Sequence, residues 1–295
     1  MLKRTIYITS PARLSMKDRQ VVCVNKDDES DVRSAPIEDL GCIIVENQRV
    51  TMTIPLMNAL AENNTSVVFC NGNTMPTSIL VSLDANTTQS ETHRAQKNAS
   101  EPLKKSIWKQ IITAKIKNQA ALLDKLGKDG AILKPYYANV KSGDSDNREG
   151  AAARLYWRLL FGEAFIRDRD GDSPNNLLNY GYSILRAATV RALLGSGLSP
   201  EESVFHRNRY NAMPLADDLM EPFRPFVDEI VHSLFFSGKR ELTTEVKTKL
   251  AAVLVADTIV GQLRRPLEIG LTWSASSLGK VFLGDKKLVS LPKLE

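Results

Sequence analysis

Between His206 and Pro225 the chain reads HRNRYNAMPLADDLMEPFRP, a stretch rich in groups able to bind a cation and a phosphate. It holds one of the chain's three histidines, the acids Asp217, Asp218 and Glu221, and the arginines Arg207, Arg209 and Arg224. Asp218 and Glu221 stand three residues apart, so a helix sets them on one face. Asp217 then points about 100° away from Asp218 and is expected at solvent or at a cap. His206 can join the pair from a preceding loop. Carboxylates with a neutral imidazole, beside basic side chains, suit a divalent metal that handles phosphate. The alternative is structural: the acids pair with Arg224, Arg207 or Arg209. Pro222 directly after Glu221 should disturb the helix there and present the acid.

Such a site needs a further ligand. Glu149 opens the run REGAAARLYWRLLFGEAF beside Gly150 and three alanines, small residues that admit a close neighbour. An acid in a first helical turn is also favoured by the helix dipole, so capping alone accounts for Glu149. Asp144 and Asp146 read as loop acids without context. His93 sits in a polar stretch and reads as solvated, and His232 as a histidine packed within a helix. Two motif-like runs are set aside. Counted from Asp168, DRDGD has glycine at position four and Asn179 at twelve, where an EF-hand needs glycine at six and glutamate at twelve. His206-Arg207-Asn208 lacks the companion ligands of an HNH nuclease.

The elements that must position these groups fall into two parts. A chain of 295 residues suggests two domains. Hydrophobic content of 43% and charged content of 25% are ordinary for a globular protein. No run approaches the ~18 apolar residues of a membrane span, and MLKRTIYITSPARL lacks the apolar core of a secretory signal. Cys23, Cys42 and Cys70 form no CxxC pair and read as free thiols in a reducing cytoplasm. Residues 1–90 carry 8 Lys/Arg against 10 Asp/Glu, while 91–295 carry 31 against 24. The basic excess therefore lies wholly in the second part, where it could attract a polyanion or simply be solvated.

Strands are expected over 3–9, at Leu14, over QVVCVN (20–25), LGCIIV (40–45), TSVVFC (65–70) and 79–83, with a helix at IPLMNALAEN (54–63). KDDESD (26–31) reads as a charged hairpin tip. DANTTQSETHRAQKNASEP is polar and reads as a linker. From Leu103 the period turns helical, with Ile107, Ile111, Ile112, Ile116, Ala120 and Leu123 on the apolar side. Further helices are expected over 148–165, 177–197, through VDEIVHSLFFSG, and over 242–265, after which the last thirty residues taper off. The fold class is α+β: an N-terminal β-sheet-rich domain (1–84), a linker (85–102) and a C-terminal all-α domain (103–295).

In order, EGxxA at Glu149–Ala153, a distant histidine, and LADDLMEPFRP at Leu215–Pro225 resemble the CRISPR adaptation integrases, the Cas one family. WKQIITAKIKNQA (Trp108–Ala120) and LNYGYSIL (Leu178–Leu185) are similar to it as well. The resemblance spans nearly the whole chain, with the flavour of type II systems. It implies a metal-dependent DNA endonuclease and integrase that inserts spacer DNA into a CRISPR array through a 3′-hydroxyl. It implies Glu149, His206 and Glu221 as catalytic metal ligands for Mg²⁺ or Mn²⁺, with Asp218 as an auxiliary acid. Tyr180 and Tyr156 would lie near DNA, and Arg207, Arg209 and Arg224 would hold phosphates. The implied partners are double-stranded DNA (prespacer and CRISPR repeat), a second copy paired through the β-domain, and the Cas two protein flanked by two such dimers, with no membrane. One departure is Ser203, where many relatives carry glycine. The alternative from a different class is a non-catalytic DNA-binding scaffold.

Overall fold

A computed structural model of the chain describes residues 4–82 and 86–295. The chain divides into two units, Met1–Ala85 and Asn86–Glu295. The expected boundary at 84/85, the start of the first strand at residue 3 and the end of the strand reaching Leu83 lie outside the described residues.

The first unit holds β1 (Arg4–Ile8), β2 (Ala12–Lys17), β3 (Gln20–Asn25), β4 (Val32–Pro36), β5 (Leu40–Val45), β6 (Thr51–Met52), α1 (Ile54–Glu62), β7 (Ser66–Cys70) and β8 (Pro76–Leu80). One sheet has the order β1-β5-β7-β8 and the other β4-β3-β2-β6. β5 lies between β1 and β7, parallel to both, and all six of its residues are buried, as its unbroken apolar run requires. β2 turns into β3 through Asp18 and Arg19, both at positive φ (50° and 57°), the backbone of a two-residue hairpin turn. Leu14, Leu40, Ile43, Leu56 and Leu60 are fully buried in one cluster, each stabilising the unit by about 1.5–3 kcal/mol.

The second unit is built of α2 (Gln89–Lys97), α3 (Glu101–Lys125), α4 (Lys134–Ala138), α5 (Arg148–Phe161), α6 (Asn175–Gly195), α7 (Pro214–Met220), α8 (Arg224–Phe236), α9 (Thr244–Ala251), β9 (Asp257–Val260), β10 (Leu263–Pro266), α10 (Leu267–Phe282) and β11 (Pro292–Lys293). A single 3₁₀ turn, Glu221–Phe223, joins α7 to α8. α3 is the central post, packed against α4, α5, α7, α8 and that turn. Ser100 caps it by accepting from the Leu103 amide, and Pro102 occupies its first turn, where no amide is missed. α6 packs against α7, α8, α9 and α10.

Four expectations need correction. The polar stretch read as a linker forms α2, within the second unit. Its inner face is Thr92 and Gln96, and the Gln96 amide donates to the Ser199 and Glu202 carbonyls (2.9 and 2.8 Å) and accepts from the Ser199 amide (3.0 Å). A helix docked by hydrogen bonds leaves no apolar stripe to read. His93, expected in solvent, is half-buried on this helix. The helix expected over 242–265 ends at Ala251. β-branched Thr258, Ile259 and Val260 enter β9 instead, and Gly261 at φ 67° turns the chain into β10, so a three-stranded sheet β10-β9-β11 accompanies the helices. The supposed taper contains the sixteen-residue α10, whose glycines and serines are close-packing positions: a Cβ on Gly270 would lie 2.7 Å from Thr258.

Gly181, in the middle of α6, has the same function toward α8, since a Cβ there would meet Val227 Cγ1 at 2.4 Å. Alanine would gain about 1 kcal/mol of helix propensity but overpack the contact by about 1–3 kcal/mol. Gly181→Ala is therefore expected to lower the urea midpoint; an unchanged or higher midpoint would mean that α8 yields freely.

Candidate functional site

Glu149 reaches the site because other residues take over the capping of α5. Asn147, in the left-handed region (φ 52°), accepts from the Gly150 amide. Asp144 accepts from the Arg148 and Glu149 amides at 2.8 and 3.0 Å. The orphan donors of the helix start are thus satisfied without Glu149, which answers the capping alternative. Asp144, read as a loop acid without context, is the buried residue that fixes the Glu149 backbone.

The Glu149 side chain meets Lys115 instead. The Lys115 ammonium lies 2.6 Å from Glu149 Oε1 and 2.6 Å from Glu221 Oε2. Lys115 comes from the buried face of α3, shared with Ile111, Ile112, Asn118 and Gln119. Burial works against its charge, but Glu221 and Glu149 outweigh it and raise its pKa. Glu221 stands in the 3₁₀ turn and is 4% exposed. Arg224 meets its other oxygen at 3.0 Å. Burial pushes the Glu221 carboxyl up, and Arg224 and Lys115 pull it lower still, so it is held below its usual range. One turn further along α3, Asn118 donates to the Pro222 carbonyl at 2.7 Å, tying the turn to the post. Pro222 does interrupt the helix at the acid, as its missing amide demands.

Asp218 is fully buried and faces the same region from α7. It accepts from the Val204, Phe205 and His206 amides at 2.8, 3.0 and 3.3 Å. Its Oδ1 also lies 2.6 Å from His206 Nδ1. A carboxylate accepting from Nδ1–H leaves Nε2 as the nitrogen free to bind a metal. The hydrogen bond to Asp218 raises the His206 pKa against the opposing effect of burial, with Glu221 and Glu149 adding to the rise. Phe205 stacks flat on Trp108 of α3 at 4.2 Å, and His206 meets Trp108 edge-on at 5.5 Å. The loop is therefore built by Asp218 and Trp108, with Ser203 where the resemblance led to the expectation of glycine.

The sequence-derived residues now separate. Glu149, Glu221, His206 and Asp218 converge, and Lys115, which the sequence reading passed over, stands among them. Its signal was a lysine at the spacing of the buried isoleucines. Arg224 pairs with Glu221 and lies 4.6 Å over the Tyr182 ring. Arg207 is exposed and holds Glu101 through two contacts of 2.8 Å. Exposed Arg209 bonds and stacks on Tyr210. Asp217 is ion-paired with Arg186 at 2.7 Å rather than solvated. Tyr180 and Tyr156, expected near DNA, both have fully buried side chains and offer no surface for direct contact in this structure. Tyr156 and Tyr182 instead donate to Asp228 at 2.7 and 2.5 Å. Asp228 is pushed up to about 6 by burial, against the pull of those hydroxyls and of Arg224 and Arg167.

Among the described residues no three His, Cys, Asp or Glu side chains are grouped to hold a metal ion as they stand. The Lys115 ammonium is a stand-in cation between two carboxylates, with an imidazole adjoining. Two carboxylates and one imidazole nitrogen are a donor set that fits Mg²⁺ or Mn²⁺ once the ammonium moves aside. No helix among the described residues is long and apolar enough to cross a membrane.

The chain joins a two-unit α+β fold to an acidic, imidazole-bearing site on its helical unit, and comparison with known proteins gives its family. Residues 6–260 match the family CRISPR associated protein Cas1, and the chain belongs to that family. It is 39% identical over 258 residues to the CRISPR-associated endonuclease Cas1 of Neisseria meningitidis serogroup C (strain 8013), a match covering 86% of this chain and 84% of that protein. Its fold is similar to that of a casposase bound to integration product, with TM-score 0.80, 20% identity, and 98% and 93% of the two chains covered. It is also similar to a chain of a Cas6-RT-Cas1–Cas2 complex, with TM-score 0.71, 19% identity, and 97% of this chain and 36% of that longer one covered.

Two measurements test these assignments. Asp218→Ala leaves three backbone amides and an imidazole without their acceptor. A cost of about 3 kcal/mol or more is expected at about 1.5–3 kcal/mol per bond to a charged group. Hydrogen exchange should quicken at Val204–His206, and unchanged protection there would refute the loop's dependence on Asp218. Asp228, raised from 3.8 to about 6, binds its proton more tightly folded than unfolded. Its contribution to stability is complete below pH 3.8 and lost as pH rises through about 6. Unfolding free energies of the parent should therefore fall relative to Asp228→Asn across that window; parallel curves would exclude it.

Proposed function

We propose that this protein is a divalent-metal-dependent DNA endonuclease and integrase that inserts new spacer DNA into a CRISPR array. The observation that carries this reading is the meeting of Glu149 and Glu221 on one cation position beside His206. The name of the relative at 39% identity, an endonuclease, supports the nuclease part. The casposase with its integration product supports the integrase part.

Mg²⁺ or Mn²⁺ held by Glu149, Glu221 and His206 Nε2 would supply charge neutralisation at the attacked phosphate and orient the entering oxygen. The chain's own residues do the rest. Asp218 fixes the imidazole through Nδ1 and keeps Nε2 directed outward. Asn118 holds the turn that carries Glu221 through the Pro222 carbonyl, and Arg224 pairs with the Glu221 carboxylate. Arg207 and Arg209, exposed on the loop that carries His206, are free to exchange their present partners for DNA phosphates. In spacer integration the 3′-hydroxyl oxygen of the incoming strand bonds to a repeat phosphorus. The entering hydroxyl gives up its proton, the bond from that phosphorus to the old 3′-oxygen breaks, and the old 3′-oxygen takes up a proton and leaves as a hydroxyl, so protons balance. One phosphodiester replaces another without a covalent enzyme intermediate. Water in place of the 3′-hydroxyl gives endonuclease cleavage.

The partners that follow are double-stranded DNA, a second copy paired through the β-sheet unit, and a Cas2 dimer flanked by two such pairs. The Cas1–Cas2 complex whose chain shares this fold supports the Cas2 partnership. A type II setting is part of the same reading.

One observation favours a second reading, a non-catalytic DNA-binding scaffold: Lys115 already neutralises the two glutamates. The experiment is end-joining of labelled prespacer DNA to a repeat-bearing plasmid with Mg²⁺ or Mn²⁺. The parent should join and cut, while Glu149→Ala and His206→Ala should lose at least about a hundredfold, at about 2.7 kcal/mol, and still bind DNA. Joining at the parent's rate by either variant would sink the metal-site reading. A parent that binds DNA yet never joins or cuts it would leave the scaffold.

A further inference from the structure

We propose that Lys115 is an internal counter-cation that competes with metal. In the metal-free protein its ammonium holds Glu149 and Glu221 together, and it leaves that position when a divalent cation binds. The inference rests on the metal-site reading above and adds a control on occupancy of the site.

The geometry is specific. One nitrogen stands 2.6 Å from an oxygen of each glutamate, the two carboxylates arriving from different elements, α5 and the Glu221–Phe223 turn. Lys115 is 9% exposed and rises from the middle of α3, whose neighbouring turns are packed on both sides. The ammonium therefore belongs to the interior. A small divalent cation held by the same two carboxylates would need the volume that the ammonium fills. Two cations cannot share it. Binding of the ion must displace the ammonium, and the measured affinity is the intrinsic affinity reduced by the fraction of sites that the ammonium occupies.

Arg224 does not compete in this way. It meets Glu221 Oε1 from the other side and its ring contact with Tyr182 keeps it there, so Glu221 retains one positive partner through the exchange. Among the described residues, no arginine is ion-paired with Glu149, which meets Lys115. Lys115 is thus the group that lets two buried or half-buried acids remain adjacent before metal arrives, and it sets the concentration at which metal replaces it.

The test titrates Mn²⁺ into the full-length parent, Lys115→Met, Lys115→Arg and Glu149→Gln by calorimetry, with thermal melts in chelator and in Mn²⁺. Lys115→Met should bind Mn²⁺ at least about tenfold more tightly than the parent, melt lower in chelator, and gain more in Tm from Mn²⁺. Lys115→Arg, which keeps the charge with a firmer two-pronged grip, should bind Mn²⁺ more weakly and melt no lower. It decides the matter if Lys115→Met does not fold. Glu149→Gln should abolish the binding. Equal or weaker Mn²⁺ binding by Lys115→Met, or parent-like binding by Lys115→Arg, overturns the proposal and leaves the metal site standing. Mn²⁺ binding that survives Glu149→Gln, or is absent from parent and Lys115→Met alike, overturns the metal site and this proposal with it.

Discussion

Acidic side chains withdrawn from water must be compensated, and the second unit is arranged around that requirement. Glu221 and Asp218 are 4% and 0% exposed, and Glu149 lies at the rim beside them. An isolated buried carboxylate would cost several kcal/mol even after relaxation. Each acid meets the demand differently. Asp218 takes three amides and an imidazole, Glu221 takes a lysine and an arginine, and Glu149 shares the lysine. Removing one partner from a buried pair costs about 3–5 kcal/mol, so the side chains that could do chemistry are also those whose surroundings are least tolerant of change.

That compensation explains why α3 is the post. It contributes Trp108 against Phe205 and His206, Lys115 between the glutamates, and Asn118 beneath Glu221, each about one or two turns from the next. Asn118 also donates to the Pro292 carbonyl at 3.1 Å and accepts from the Leu294 amide at 3.2 Å. The C-terminal strand and the acidic turn are therefore held by one side chain. On the far side of the loop, Gln96 anchors Ser199 and Glu202 just before Val204. Rigid placement of His206 is achieved by polar anchors at both ends of its loop.

What was legible in the sequence follows from the kind of interaction involved. Apolar periodicity exposed β5, the buried isoleucines of α3 and the two long runs that became α5 and α6, because those elements dock through hydrophobic burial. α2 docks through Gln96 and Thr92 and so read as a linker. The small-residue packing of α10 read as a taper, and β-branched Thr258–Val260 passed for helix until Gly261 turned the chain. In the site, acids and histidine were legible as types with known chemistry, and their neighbourhood as a motif. Lys115 was not, because a lysine on a helix is ordinarily solvated, and only the three-dimensional meeting of α5 with the acidic turn gives it a partner. Tyr180 was legible as a residue of the motif but not by direction.

Tyr180 and Tyr182 stand two residues apart on α6, about 200° around the helix, so one of them had to face away from the acids. Tyr182 is the one that turns toward them. Its hydroxyl donates to Asp228, its ring carries the Arg224 guanidinium at 4.6 Å, and Arg224 bonds Glu221. A continuous chain of contacts thus runs from a buried aspartate of α8 to the acid that faces the cation position. Burial raises Asp228 only to about 6, so at neutral pH it is mostly ionised and shares the field of the Arg224 guanidinium with Glu221. Glu221 therefore leans on a cation it divides with an acid of the core, Arg224, and on one it divides with Glu149, Lys115. The surroundings of Glu221 thus extend through Arg224 into the core behind it as well as to the rim beside Glu149.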